Sequence, residues 1–78
     1  MNESNLRDEI IKIVRVILDN ESIGTEDADK ELMEFGLDSL LFIRMLILLE
    51  EELHIKIPEE SIFMDKMNTI NKILHSLR

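Results

Sequence analysis

One serine stands where a polar loop meets the most apolar segment of the chain. Ser39 lies within residues 36–40 (Gly-Leu-Asp-Ser-Leu), directly before a run of leucine, isoleucine and methionine. This run predicts a helix, and the first amide groups of a helix have no partner within it. Because these amides and the helix dipole favour phosphate, a phosphodiester on the Ser39 hydroxyl would lie in a favourable field.

The alternative is that Ser39 caps the helix, a role for which serine and aspartate are both preferred. A capping box needs Glu or Gln three residues after the cap, but the positions three after Asp38 and Ser39 hold Leu41 and Phe42. Asp38 can also supply the cap alone, which would leave the Ser39 hydroxyl free. Taken by themselves, these residues allow both roles.

Other chemistry finds little support in the sequence. The two histidines, His54 and His75, are not near Ser39 in the chain, and neither has the spacing of a metal site. There is no cysteine. The acidic cluster at residues 26–29 lacks the alternating ligands, central glycine and final glutamate of a calcium loop. We therefore expect neither an enzyme nor a metal-binding protein.

The composition limits the partners. A chain of 78 residues predicts one small domain, residues 1–78, without room for a large catalytic cleft. The net charge of −8, from 17 acidic and 9 basic residues, argues against nucleic acid. It favours partners with basic surfaces, or it serves only solubility. We expect a cytoplasmic monomer that does not bind membranes, because neither a signal-peptide pattern nor an apolar run of about 20 residues is present.

Apolar periodicity predicts an all-α fold, a small bundle of three long helices and one short helix. An amphipathic first helix ends near residues 19–20, and a long polar loop follows, with Ile23 reaching the core. A single turn around residues 32–35 then precedes a central helix of about four turns that ends near Leu53. Pro58 follows an extended link, a short helix or turn occupies residues 62–67, and residues 68–69 cap the last helix.

The central helix is apolar on more than one side. Leucine and isoleucine at positions 40, 43, 46, 47 and 49 cover more than one stripe, which is typical of the central helix of a bundle. The other apolar side chains point elsewhere, so some of them should be exposed and form a contact surface. These are Leu41, Phe42, Met45 and Leu48.

Residues 36–40 resemble the phosphopantetheine attachment motif of acyl carrier proteins, whose core is Asp-Ser-Leu. Residues 50–58, with Glu-Glu-Glu-Leu followed by Ile-Lys-Ile-Pro, resemble the end of helix II of that family and the link after it. The length, the long first loop and the helix layout also match, so the likeness covers essentially the whole chain.

The resemblance implies a carrier protein. A phosphopantetheinyl transferase would move 4'-phosphopantetheine from coenzyme A onto Ser39, and the thiol of the arm would hold an acyl or aminoacyl group as a thioester. A loading ligase and synthase or transferase enzymes would be the further partners. In the family the partner surface is formed by helix II and the loop before it. The matching positions are Asp38, Leu40, Leu41, Phe42, Ile43 and Arg44.

Two departures from the family pattern concern the pathway. Fatty-acid carriers usually place acidic residues two and five positions after the serine, where this chain has Leu41 and Arg44. Residues 68–73 look somewhat like aminoacyl carriers of the D-alanyl type. Both points favour a dedicated polyketide, peptidyl or aminoacyl carrier over general fatty-acid biosynthesis. The alternative from another functional class is an unmodified helical adaptor that binds its partner through Leu41, Phe42 and Met45.

Overall fold

The computed structural model describes residues 3–77, with side chains from residue 5 onward. This part of the chain holds three α-helices and no strand: α1 (Glu3–Leu18), α2 (Ser39–Leu53) and α3 (Ile70–Ser76). Helix α1 packs against both α2 and α3. The all-α prediction is confirmed, and α2 has the predicted length. No helix within residues 3–77 is long and apolar enough to cross a bilayer.

The four-helix count is not confirmed, because 3₁₀ turns replace the short third helix. Two turns, Glu59–Ser61 and Met64–Lys66, lie between α2 and α3. Phe63 between them has an extended backbone, with φ −138° and ψ 138°. Ile62 and Phe63 are both exposed, so this segment has no continuous apolar face whose burial would offset the cost of forming a helix.

Side chains from every segment meet in one core. Each helix contributes, and so do the loops, since Ile23, Leu32, Ile57 and Met67 are fully buried or nearly so. The prediction that Ile23 reaches the core is confirmed. In a chain of this size, loop residues must supply part of the apolar burial that longer helices would otherwise provide.

The first loop is fixed to α1 where the helix ends. Asp19 has a left-handed backbone with φ 50°, which ends the helix at the predicted place. The Arg15 side chain then reaches across the loop, and its Nε donates a hydrogen bond to the Ile23 carbonyl oxygen over 2.6 Å. Ile23 is therefore held both by its burial and by its backbone.

A charged contact stabilises the 3₁₀ turn Thr25–Asp27 in the same loop. The Gly24 amide donates to Asp27 Oδ2 over 3.0 Å, and Lys30 Nζ lies 2.9 Å from Asp27 Oδ1. The hydrogen bond from Gly24 and then the one from Lys30 lower the pKa of Asp27 from its ordinary value of 3.8, against the opposing effect of partial burial. The hydrogen bond with Asp27 in turn raises the pKa of Lys30.

The loop is also joined to the segment before α3 by four hydrogen bonds between residues 28–32 and 68–71, here called the loop anchor. The Leu32 amide donates to the Asn68 carbonyl (2.8 Å), and the Asn71 amide donates to the Ala28 carbonyl (3.0 Å). Two side-chain bonds add to these, from Asn68 Nδ2 to Glu31 Oε2 (2.6 Å) and from Asn71 Nδ2 to Asp29 Oδ1 (2.7 Å). Thr69 caps α3 as predicted, since its Oγ1 accepts from the Lys72 amide.

Replacing Asp27 with asparagine should lower the melting temperature at pH 7. A group whose pKa is lowered in the folded state contributes stability above its unfolded pKa, and this stability is lost as the pH falls through the folded pKa. The difference between wild type and Asp27→Asn should therefore shrink as the pH falls below about 4. Thermal melts by circular dichroism from pH 7 to pH 2.5 measure it.

A Lys30→Gln variant serves as the control. At pH 7, Asp27→Asn should lower the melting temperature less in the Lys30→Gln background than in the wild type, because the two mutations remove one shared contact. A constant difference between Asp27→Asn and wild type across the whole pH range would contradict a stabilising role for this pair.

Candidate functional site

The segment before α2 turns sharply to bring Ser39 to the surface. The 3₁₀ turn Leu32–Phe35, with Leu32 buried, matches the single turn predicted here, and it ends at Gly36. Gly36 has φ 103°, a left-handed conformation in which a residue with a side chain would be strained. Leu37 is then buried, while Asp38 and Ser39 are exposed. The glycine and the buried leucine therefore fix the point at which the chain leaves the core.

Asp38 is the N-cap of α2. Its backbone is extended, and its Oδ1 accepts a hydrogen bond from the Leu41 amide over 2.9 Å. The Asp38 carbonyl oxygen accepts from the Phe42 amide over 2.8 Å. Asp38 thus satisfies the amides that a capping serine would have bonded, so the capping role considered for Ser39 belongs to its neighbour.

Ser39 is the first residue of α2, and its side chain is exposed. No group within residues 3–77 forms a hydrogen bond with its hydroxyl. The amides of Ser39 and Leu40 also lack an acceptor in the described part of the chain, as expected at a helix N-terminus. A free hydroxyl beside unpaired amides at the positive end of a helix dipole suits a phosphodiester, whose oxygens would accept hydrogen bonds from these amides.

The other residues predicted for the partner surface lie on different sides of α2. Leu40, Ile43 and Arg44 are exposed, and Leu41 is half-buried. Phe42 is only 8% exposed, because it belongs to the core-facing side of α2. That side consists of Phe42, Met45, Leu46 and Leu49.

The expectation that some of Leu41, Phe42, Met45 and Leu48 are exposed is therefore wrong, because two of them are buried and the other two are half-buried. The alternative of an adaptor loses its surface, because Phe42 and Met45 are buried and Leu41 is half-buried. The sequence analysis did not identify Ile47 as a surface residue, although it is 51% exposed. The signal was available in the charges: Arg44 lies three positions before Ile47 and Glu51 four positions after it.

The link after α2 is also held by contacts with the helix and the core. His54 ends the helix in a left-handed conformation with φ 54°. The Ile57 amide donates to Glu50 Oε2 over 2.9 Å, and the Ile57 side chain is buried. Both ends of α2 are thus held by a carboxylate that accepts from a backbone amide, Asp38 at the start and Glu50 at the end.

The exposed, unbonded hydroxyl of Ser39 at the start of the central helix is chemically able to accept a covalently attached group. A family model described as the phosphopantetheine attachment site matches residues 6–77. The chain belongs to this family, and its prosthetic group is covalent 4'-phosphopantetheine. Carrier domains of the family are generally not catalytic. No curated protein and no solved structure gave a match.

Replacing Asp38 with alanine should lower the free energy of unfolding by about 1 kcal/mol, because it removes the N-cap of α2. Replacing Ser39 with alanine should change it by less than about 0.5 kcal/mol, because the hydroxyl bonds nothing in the fold. Urea unfolding of both variants measures the two values. Equal losses in the two variants would show that Ser39 shares the capping role.

Replacing Phe42 with alanine should destabilise the fold by about 3 kcal/mol or more, because it removes a buried ring and leaves a cavity. Ile43→Ala on the same helix is the matched control and should cost less than about 0.5 kcal/mol, since Ile43 is 53% exposed. Urea midpoints distinguish the two variants. A stable Phe42→Ala variant would contradict the burial of this ring.

Proposed function

We propose that the phosphopantetheine arm is attached to the Ser39 hydroxyl, and that the chain presents acyl, aminoacyl or polyketide intermediates to biosynthetic enzymes. The observation that carries this proposal is the division of roles between two neighbouring residues. Asp38 caps the helix, and the exposed Ser39 hydroxyl bonds nothing in the described structure. The family match supplies the identity of the group.

The residues of the chain hold and orient the attachment point. The Asp38 cap fixes the first turn of α2, so that Ser39 keeps one position relative to the helix axis. The amides of Ser39 and Leu40 face the place where phosphate oxygens would lie, and the helix dipole adds to their attraction. When attached, the arm supplies a terminal thiol that carries its cargo as a thioester, which this chain could not provide because it has no cysteine.

The proposed partners act in sequence. A phosphopantetheinyl transferase delivers the arm from coenzyme A, a ligase loads the cargo, and synthase or transferase enzymes consume it. We propose that they contact Asp38, Leu40, Ile43 and Arg44, which are exposed at the start of α2, with Leu41 at the margin. Because Leu41 and Arg44 replace the usual acidic residues, we propose a dedicated polyketide, peptidyl or aminoacyl carrier.

Intact-protein mass spectrometry after incubation with coenzyme A and a broad-specificity transferase tests the attachment. The wild type should gain the mass of one phosphopantetheine group, and peptide mapping should place it on Ser39. Ser39→Ala should gain nothing and remain folded. The matched control is Ser22→Ala, which removes another exposed serine and should be modified like the wild type. Modification of Ser39→Ala, or none of the wild type, would contradict the proposal.

A further inference from the structure

A path of hydrogen bonds leads from the segment before α3 to the start of α2. The Asn68 carbonyl oxygen accepts from the amide of Leu32, the first residue of the 3₁₀ turn Leu32–Phe35. The Leu32 carbonyl oxygen in turn accepts from the Leu37 amide over 3.1 Å. Leu37 directly precedes Asp38, the N-cap of α2, and both leucines are buried. Two hydrogen bonds through the core therefore connect Asn68 to the first turn of α2.

The Asn68 side chain holds the same turn at a second point. Its Nδ2 donates to Glu31 Oε2 over 2.6 Å, and Glu31 is the residue at which the turn starts. The Glu31 side chain does not cap its own turn. Asn68 thus binds two consecutive residues, Glu31 with its side chain and Leu32 with its backbone. A contact at two points fixes the direction of the turn as well as its place.

Stability alone does not account for this side chain. Asn68 is only 8% exposed, and its Oδ1 is buried without a hydrogen-bond partner in the described part of the chain. A buried amide oxygen without a partner costs free energy, whereas the exposed carboxylate of Glu31 would be hydrated without Asn68. The bond between them therefore adds little net stability, and its main effect is a defined geometry.

The other side-chain bond of the loop anchor lies outside this path. Asn71 Nδ2 donates to Asp29 Oδ1, but Asp29 is exposed and precedes the turn Leu32–Phe35. Within the described residues, Asp29 forms no hydrogen bond with that turn or with α2. Asn71 and Asp29 therefore form a contact of the same kind without a link to Ser39.

We infer that Asn68 is a positioning residue for the modification of Ser39 and acts through Glu31 and Leu32. This inference rests on the proposed attachment at Ser39. In that reaction the Ser39 oxygen bonds to the phosphorus that bears the pantetheine of coenzyme A, adenosine bisphosphate leaves with the bridging oxygen, and the hydroxyl proton passes to a base of the transferase. The hydroxyl must lie within reacting distance of the phosphorus, and a first turn that is less fixed spends less time in that geometry.

Asn68→Asp tests the inference, because it keeps the shape of the side chain and replaces the donor with a carboxylate facing Glu31. With coenzyme A in excess, the kcat for transfer onto Ser39 should fall about tenfold. The KM for the chain should stay within about twofold, since the exposed residues at the start of α2 are unchanged. Glu31→Ala should lower kcat in the same way, and it leaves the core intact because Glu31 is exposed.

Reversing the hydrogen bond provides a rescue. Glu31→Gln alone should keep kcat within about twofold of the wild type, because its amide oxygen still accepts from Asn68. Combining Asn68→Asp with Glu31→Gln exchanges donor and acceptor, so kcat should return to within about twofold of the wild type. The matched controls are Asn71→Asp and Glu21→Ala, which make the same substitutions outside the path and should leave kcat within about twofold.

Amide hydrogen exchange measured by NMR gives a readout that needs no transferase. Asn68→Asp should speed exchange of the Leu32 and Leu37 amides about tenfold relative to the wild type. Exchange of the Val14 amide, in the buried face of α1, should not change. Equal acceleration at all three amides would show a general loss of stability and would overturn the inference.

The inference is also overturned if Asn68→Asp and Glu31→Ala keep the wild-type kcat, if the double variant is as slow as Asn68→Asp alone, or if Asn71→Asp lowers kcat equally. Each of these outcomes includes modification of the wild type at Ser39, so the proposed function stands. If a transferase that modifies a reference carrier never modifies the wild type, the proposed function fails, and the inference falls with it.

Discussion

The hydrogen bond from the Leu41 amide to the Asp38 carboxylate is the contact on which the site depends. It closes the first turn of α2 with a side chain that is not the proposed attachment point. A serine used as the cap would have its oxygen occupied by a backbone amide and its position tied to the fold. By placing the cap one residue earlier, the chain keeps a hydroxyl that is exposed, fixed in position and available for reaction.

The loop before α2 is held in place by contacts at several points along its length. Ile23 and Leu32 are buried, the Asp27–Lys30 pair closes one turn, and the loop anchor joins residues 28–32 to residues 68–71. Most of these contacts use backbone groups or short polar side chains. A long loop in a small protein stays ordered in this way without a further helix to cover it.

The sequence predicted the features that depend on local pattern. The end of α1, the burial of Ile23, the turn before Gly36 and the Thr69 cap follow from periodicity and capping preferences. The rotation of α2 about its axis could not be predicted, because two of its sides have apolar residues at helical spacing. Only packing against α1 and the rest of the core decides which side is buried. Nor could the sequence decide between a short helix and the 3₁₀ turns near Phe63, since a short apolar segment forms a helix only where tertiary contacts stabilise it.

The loop anchor also sets an order of events during synthesis. Its side-chain bonds join residues that are 37 and 42 positions apart, so the two halves of the loop anchor are synthesised at different times. A ribosome releases the N-terminal half first, so a nascent chain that already displays Ser39 still lacks the partners of its loop. The loop before Ser39 is therefore fully anchored only once residues 68–71 have been synthesised and have left the ribosome.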